Sequence, residues 1–253
     1  MRTEHENVPG MASGAAADTV DSTEAWTGRS RIVLTPIAAP SILGLFGFAA
    51  ATFMVASLLA GWWGDPTTDA PIIAPFALFF GGLGQLLAGM WSYRARDAIA
   101  TAMHGTWGSF WLGWGTLVLL AHTGVIPAGA LQSRAFGFWF IALAVITIFG
   151  ALAALTTNAA LFLVLGLLAA GSILLAIGFV APLTSLVNAG AWVLVASAAA
   201  AFYTAGAMMR TEATHGRTIL PLGGPNAAAN IPGRTTSEPI GYPAGLPGAR
   251  IGQ

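Results

Sequence analysis

Residues 105–115 read GTWGSFWLGWG and place three tryptophans and a phenylalanine among four glycines, with no charged side chain. Trp107, Phe110, Trp111 and Trp114 follow the i, i+3, i+4, i+7 spacing of one helical face. Lipid accommodates such a face more readily than water does, and tryptophan near a helix end also suits the membrane interface. The stretch predicts a membrane helix whose aromatic face contacts lipid, a neighbouring subunit, another helix or a narrow passage.

The whole chain is too apolar for a water-soluble domain. Of its 253 residues, 56% are hydrophobic and 8% are charged, with a mean hydropathy of +0.73. A typical soluble domain is about 25% charged. The formal net charge is zero and there is no cysteine. This composition favours a membrane protein, gives no indication of nucleic-acid binding, and excludes disulfides, thiolate catalysis and zinc–thiolate sites.

Six apolar stretches have the length of membrane-spanning helices. A helix needs about 20 residues to cross roughly 30 Å of hydrocarbon, where it satisfies its own backbone hydrogen bonds. We predict an all-α membrane protein with six transmembrane helices per protomer, in a domain of residues 35–210. The predicted spans are residues 37–63, 72–91, 106–122, 136–155, 159–181 and 188–209.

The two ends of the chain differ from this apolar domain. Residues 1–34 are polar with many small side chains, and the C-terminal end is rich in Pro and Gly. We predict a disordered N-terminal tail over residues 1–34 and a C-terminal tail over 211–253 that is mostly disordered after residue 223.

Arginine placement predicts the orientation of the chain. On one side of the spans lies only Arg134, and on the other lie Arg29, Arg31, Arg94, Arg96, Arg210 and Arg217. The positive-inside rule then predicts a multi-pass protein of the plasma or inner membrane with both termini in the cytoplasm.

The predicted spans contain no Asp, Glu, Lys or Arg. Intramembrane charges usually mark ion pairs and proton relays, so their absence favours a neutral pathway for small or weakly charged solutes. The four histidines share no metal-ligand spacing, and no catalytic pair is present. We predict no enzyme activity, no cofactor and no metal. Gln85 is a polar exception, because its amide needs either a partner helix or water in a pore.

Five stretches together resemble the acetate uptake transporter family, which includes the succinate–acetate permeases. They are APSILGLFGF (39–48), FFGGLGQLLAG (79–89), WGSFW (107–111), TNAALF (157–162) and GRTILPLG (216–223). Their order and spacing fit the family over residues 39–223. The resemblance implies a six-helix protomer with its own pore, usually assembled as a homo-hexamer. It also implies transport of acetate, succinate or similar small carboxylates, with or without protons.

The family's pore is narrowest at a Phe, a Tyr and a Leu from the first, third and fifth helices. The matching residues are Phe48, Trp107 and Leu168. Tryptophan in place of tyrosine keeps and enlarges the ring and exchanges the hydroxyl for an indole N–H. The resemblance therefore implies a pore constriction at these three residues, and we expect it to favour the smallest substrates.

The family's first-helix motif, Asn-Pro-Ala-Pro-Leu-Gly-Leu, is Ala-Pro-Ser-Ile-Leu-Gly-Leu at residues 39–45, so the leading Asn and the second Pro are missing. A glutamate usual near the end of the second helix is Ser92 here, so no coupling role is carried over from it. We expect donors for a carboxylate from helix N-terminal amides, polar side chains and the Trp107 indole. The candidate substrate-binding residues are Pro40, Ser41, Leu43, Gly44, Gln85 and Ser109.

Two other functions fit the same uncharged spans. A pore for a small neutral solute, such as urea or ammonia, needs no charged lining either. A membrane sensor that does not transport would explain the two departures in the first-helix motif. The sequence also leaves open whether a carboxylate crosses as an anion through a channel or as the neutral acid together with its proton.

Overall fold

Helices are the only regular secondary structure in residues 37–214 and 217–224, the part of the chain that the computed structural model describes. The predicted tail over residues 1–34 and the predicted disorder over 225–253 lie outside the described residues. Six long helices follow one another: α1 (Pro40–Leu59), α2 (Pro66–Ala95), α3 (Ala98–His122), α4 (Arg134–Ala154), α5 (Ala159–Val180) and α6 (Thr184–Ala213). A 3-10 turn, Ala128–Gln132, lies between α3 and α4.

The prediction of an all-helical membrane protein is confirmed. All of the long helices except α3 are both long and apolar enough to cross a membrane. Helix α3 has 25 residues. Its length is therefore about 37 Å, which exceeds the roughly 30 Å thickness of the hydrocarbon layer. Its lower hydropathy comes from its polar and small residues, and it packs against α2 and α1 within the bundle.

Three helices extend beyond their predicted ends. The second span was predicted over 72–91 and covers Pro66–Ala95, the third was predicted from 106 and begins at Ala98, and the last continues to Ala213. Asp65 and Asp97 explain the early starts, because their carboxylates accept backbone N–H groups of the first turn at 2.7 and 2.9 Å. Such N-caps satisfy amides that have no partner within the helix. Hydropathy alone excludes the polar first turn of α2, and Thr101 and His104 lower the hydropathy at the start of α3.

Helix α2 is irregular at its centre. Pro71 and Pro75 lie inside its first half, and residues Ala77–Gly84 form a π-helix before the α-helix resumes at Gln85. Proline lacks the N–H that a regular helix would use, and π-helical turns are frequent at functional sites. The irregular turn brings Gly81 against Trp111, since a Cβ at Gly81 would lie 2.6 Å from the indole Cγ.

The helices pack through small residues, as the sequence predicts for close membrane helices. A Cβ at Gly108 of α3 would lie 2.6 Å from the backbone nitrogen of Leu86 in α2, so the two backbones are in direct contact. The main neighbouring pairs are α1 with α2, α1 with α6, α2 with α3, α4 with α5 and α5 with α6.

The aromatic face of α3 lies inside the protomer. Trp107, Phe110, Trp111 and Trp114 are each at most 7% exposed, and neighbouring rings in this series stand at 5.1–5.7 Å in edge-to-face contact. The interpretation that this face meets lipid is therefore wrong. The inward position follows from the glycines on α3, which bring α2 against another face of the helix.

The segment 217–224 folds back onto the bundle. The carbonyls of Gly223 and Leu222 accept hydrogen bonds from the first backbone amides of α5 at 2.6 and 2.9 Å, and Tyr203 of α6 donates to Pro221 O at 2.7 Å. The motif GRTILPLG is thus joined to the N-terminal end of α5, next to the capping residue Asn158.

Candidate functional site

An inner cavity of about 30 Å³ lies between α1, α2, α3, α5 and α6. This volume has room for about two water molecules. Its polar lining residues are Ser41, Gln85, Asp97 and His104, and the remaining lining is apolar. A hydrated ion does not fit the cavity in this conformation.

The side chains of Phe48, Trp107 and Leu168 line this cavity from α1, α3 and α5. We call these three residues the Trp107 layer. They are 3%, 3% and 2% exposed, and the rings of Phe48 and Trp107 meet edge to face with centroids 6.2 Å apart. The three residues that the resemblance implied as a constriction are therefore brought together around one cavity.

The Trp107 indole is held from a fourth helix. Its Nε1 donates to the Thr147 hydroxyl of α4 at 3.0 Å, and that hydroxyl donates to Leu143 O at 2.7 Å. Thr147 is fully buried. The expectation that this indole N–H serves as a donor to a carboxylate does not hold in this conformation, because Thr147 already accepts it.

A middle cavity of about 50 Å³ lies on the other side of Trp107, which lines both cavities. The Thr52 hydroxyl and the Trp111 indole nitrogen belong to residues that line it, and neither atom has a hydrogen-bond partner among the described residues. Buried polar groups without a partner are rare, and each one calls for a ligand, a water or another explanation. Two residues that line the middle cavity therefore carry buried polar atoms without a partner among the described residues.

An outer vestibule of about 380 Å³ continues from the middle cavity. The two share five lining residues, Val55, Leu59, Trp114, Phe136 and Phe179. Thr67, which is hydrogen-bonded to Asp65, lines the vestibule and so places that carboxylate near its rim. The Thr67 hydroxyl and amide lower the pKa of Asp65, so this exposed group carries its negative charge over the whole neutral range.

Each helix that lines more than one cavity meets the cavities in the same spatial order. On α1, Ser41 and Phe48 line the inner cavity, Thr52 the middle cavity, and Leu59 both the middle cavity and the vestibule. The distance from Ser41 to Leu59 along the helix is about 27 Å, close to the hydrocarbon thickness of a bilayer. The three cavities thus follow one another through the bundle along the direction of the helices.

Gln85 joins two helices and also lines the inner cavity. Its Nε2 donates to Gly81 O at 3.0 Å, and its Oε1 lies 3.4 Å from His104 Nδ1. The amide is 1% exposed. The sequence offered a partner helix or a pore as alternatives for this residue, and the structure places it in both settings.

His104 was absent from the residues expected in the site. The predicted span began at residue 106, whereas α3 begins at Ala98, so His104 lies inside the helix and lines the inner cavity. The signal that could have found it was the N-cap at Asp97, which places the histidine two turns into α3. The ring packs on Gly44, where a Cβ would lie 2.5 Å from ring atoms.

The sequence profile of the GPR1/FUN34/yaaH family matches residues 25–221. The chain belongs to this family. It is 29% identical over 192 residues to the succinate-acetate/proton symporter SatP of Escherichia coli, covering 75% of this chain and 97% of that protein. It is 28% identical over 177 residues to ammonia transport outward protein 2 of Saccharomyces cerevisiae, covering 68% of this chain and 62% of that protein.

A solved structure of the bacterial acetate channel SatP is similar in fold to this member of the family. The TM-score is 0.67 at 29% sequence identity, and the match covers 74% of this chain and 99% of that one. The named relatives are transport proteins, in line with the prediction that this chain is not an enzyme.

The family's first-helix motif lies at the inner end of the bundle. Ser41 lines the inner cavity and Gly44 makes room for His104. Pro40 begins α1 and is half-buried, while Leu43 is 52% exposed and does not line the cavity. Of the four candidate residues in this motif, Ser41 and Gly44 therefore lie at the site, and Pro40 and Leu43 do not.

Two other serines are used within their own helices. Ser109 is exposed, its hydroxyl donates to Gly105 O at 2.8 Å, and it lines a groove between α3 and α4 away from the three cavities. The predicted contact of Ser109 with the substrate is not part of this site. Ser92 is buried and its hydroxyl donates to Ala88 O at 2.7 Å. The glutamate that is usual in the family at this position is therefore replaced by a hydroxyl that already has a hydrogen-bond partner.

Proposed function

We propose that this protein carries acetate and similar short carboxylates across the membrane through its own helical bundle. The observation that carries the proposal is the succession of vestibule, middle cavity and inner cavity, with Trp107 lining both the middle and the inner cavity. Membership of the family supports it, together with relatives named as acetate transport proteins.

The Trp107 layer acts as the size-selecting gate of this pathway. The rings of Phe48 and Trp107 touch, and the indole is fixed by Thr147. Passage therefore requires the indole to move and its hydrogen bond to break. An apolar constriction of this kind selects by steric exclusion, so the smallest carboxylates pass most readily.

The middle cavity receives the carboxylate before it reaches the gate. A carboxylate that leaves water needs replacement donors, because an ion without them is costly to bury. The Thr52 hydroxyl and Trp111 indole have no partner among the described residues and can both donate. They provide hydrogen bonds to the substrate without placing a fixed charge in the membrane.

We infer the membrane topology and assembly from the sequence. The excess of arginine on one side favours cytoplasmic termini and a plasma or inner membrane location. The resemblance supports a homo-hexamer in which each protomer keeps its own pathway. Helix α4 supplies large exposed apolar side chains for contact with lipid or neighbouring copies: Phe138, Trp139, Phe149 and Leu152.

Ammonia is a second candidate solute, because one yeast relative is named for ammonia transport and the pathway is largely uncharged. Fluxes of labelled acetate, labelled urea and ammonia into proteoliposomes decide between them, with empty liposomes as the baseline. We expect saturable acetate uptake above that baseline. Ammonia or urea flux without acetate flux overturns the proposal in favour of a neutral-solute pore. Correctly inserted protein that moves none of the three indicates a membrane sensor.

A further inference from the structure

His104 is the buried group in the inner cavity that the transport pathway has not yet used. It lies two turns into α3 and is 5% exposed. Gly44 of α1 packs against its ring, because a side chain there would overlap the imidazole. The histidine is thus held between α1, α2 and α3 next to the Trp107 layer, with the cavity in front of it.

The neighbours of His104 determine which ring nitrogen is available. Gln85 Nε2 donates to Gly81 O at 3.0 Å, and a carbonyl can only accept, so the amide orientation is fixed. Gln85 Oε1 therefore faces His104 Nδ1 at 3.4 Å, and the ring donates from Nδ1. In the neutral ring Nε2 is then an acceptor. No described residue donates a hydrogen bond to it.

We propose that the inner cavity binds a carboxylate together with one proton, and that Nε2 of His104 holds both. This inference rests on the proposed carboxylate transport and names the site at which the substrate pauses. When a carboxylic acid arrives, its O–H bond breaks and an N–H bond forms at Nε2, which leaves an imidazolium–carboxylate pair. The same pair forms from a carboxylate anion and a proton taken up from the solution, where the buffer acid that gives up the proton is left as its conjugate base.

The charges around the cavity couple the two binding events. No Lys or Arg lines it, and α1, α2, α5 and α6 contribute only uncharged residues to the lining. The other titratable lining residue is Asp97, about 10 Å away along α3. A buried imidazolium without a counter-ion is costly, and so is a carboxylate without a cation. Each therefore favours the arrival of the other, whereas Asp97 alone disfavours an anion.

Proton uptake on acetate binding tests this site directly. The full chain in detergent at about pH 8 is titrated with acetate in weak buffer, with calorimetry and a pH-sensitive dye as readouts. We expect about one proton taken up per acetate bound, since both partners are unprotonated before binding at this pH. His104→Gln keeps a neutral polar side chain and should weaken acetate binding by about 10-fold or more while abolishing proton uptake. Binding by the wild-type protein without proton uptake overturns the proposal.

Two further variants separate this role from a structural one. Gln85→Glu gives His104 a built-in counter-ion, so the ring should be protonated in advance, and both acetate binding and proton uptake should fall. Thr116→Val changes an exposed hydroxyl of the same helix away from the cavities and should leave both unchanged. Acetate flux in proteoliposomes runs in parallel. Loss of wild-type flux overturns the transport proposal itself, whereas normal flux, binding and proton uptake in His104→Gln overturn only the role of the histidine.

Discussion

The hydrogen bond between Trp107 and Thr147 contributes to the free energy that keeps the pathway in its closed conformation. Thr147→Val keeps the side-chain shape and removes the hydroxyl that accepts the indole N–H at 3.0 Å. Thr147 is fully buried, so in the closed state the indole donor is left without a partner. An unsatisfied buried donor costs about 1–3 kcal/mol. An indole that has already left Thr147 in the open state does not bear that cost.

The variant therefore shifts the balance between closed and open conformations by about 5- to 150-fold towards the open one. We expect acetate uptake into proteoliposomes to rise at least several-fold, until another step limits the flux. Uptake is measured per amount of inserted protein, because the loss of this hydrogen bond also lowers the stability of the closed bundle. An unchanged or reduced rate per inserted protomer would show that the indole does not have to leave Thr147 during transport.

Two matched variants make the result specific. Thr204→Val is the same substitution at a fully buried threonine of α6 that bonds only to its own helix, at Ala200 O. It should leave the flux unchanged. Trp107→Phe removes the N–H itself, so adding Thr147→Val to it should have little further effect. A several-fold increase from Thr147→Val in the Phe background would contradict the hydrogen-bond mechanism and point to a change of cavity shape.

Three other predictions follow from the structure. Trp107→Ala or Leu168→Val should raise lactate flux relative to acetate flux, and Trp111→Ala, one turn along the helix, should change this ratio less. A reporter fused after Gln253 that is active only outside the cytoplasm should stay silent, and a strong signal would reverse the topology. Asp65→Ala should lower the thermal midpoint at pH 7, and by progressively less as the pH falls below 3.8 and through the lowered pKa of this carboxyl, where the native group takes up a proton.

The helices of this protein could be predicted from the sequence, but their first turns could not. Apolar runs of about 20 residues are strong signals because lipid allows little else to span it. The first turn of α2 is polar, and the first two turns of α3 contain Thr101, His104 and Gly105, so both lie outside those runs, where only the caps at Asp65 and Asp97 mark the start. An error of two turns at α3 was enough to leave His104 outside the predicted site.

The aromatic face of α3 shows a different limit. Its periodicity fixes which side chains share a face, but hydropathy does not distinguish a face towards lipid from a face towards other helices, because both are apolar. The choice is made by Gly108 and Gly115 of α3, which let α2 approach and so turn the tryptophans inward. The contact between Trp107 and Thr147 joins residues 40 positions apart. A single threonine in an apolar helix gives no sign of such a partner.

A pathway with no charged side chain at its gate or in its middle cavity still has to stay closed and to stabilise its substrate. In this protein both tasks fall to polar groups that are neutral when the pathway is empty. The indole N–H of Trp107 is satisfied by Thr147, whereas the buried indole N–H of Trp111 has no partner among the described residues and is the donor that we propose for the solute. Because a fixed charge would be costly throughout the cycle, a group such as His104 that becomes charged only with its counter-ion is the better solution. The difference between the satisfied and the unsatisfied indole, one helical turn apart, is the physical basis for assigning gate and binding site to adjacent levels of the same helix.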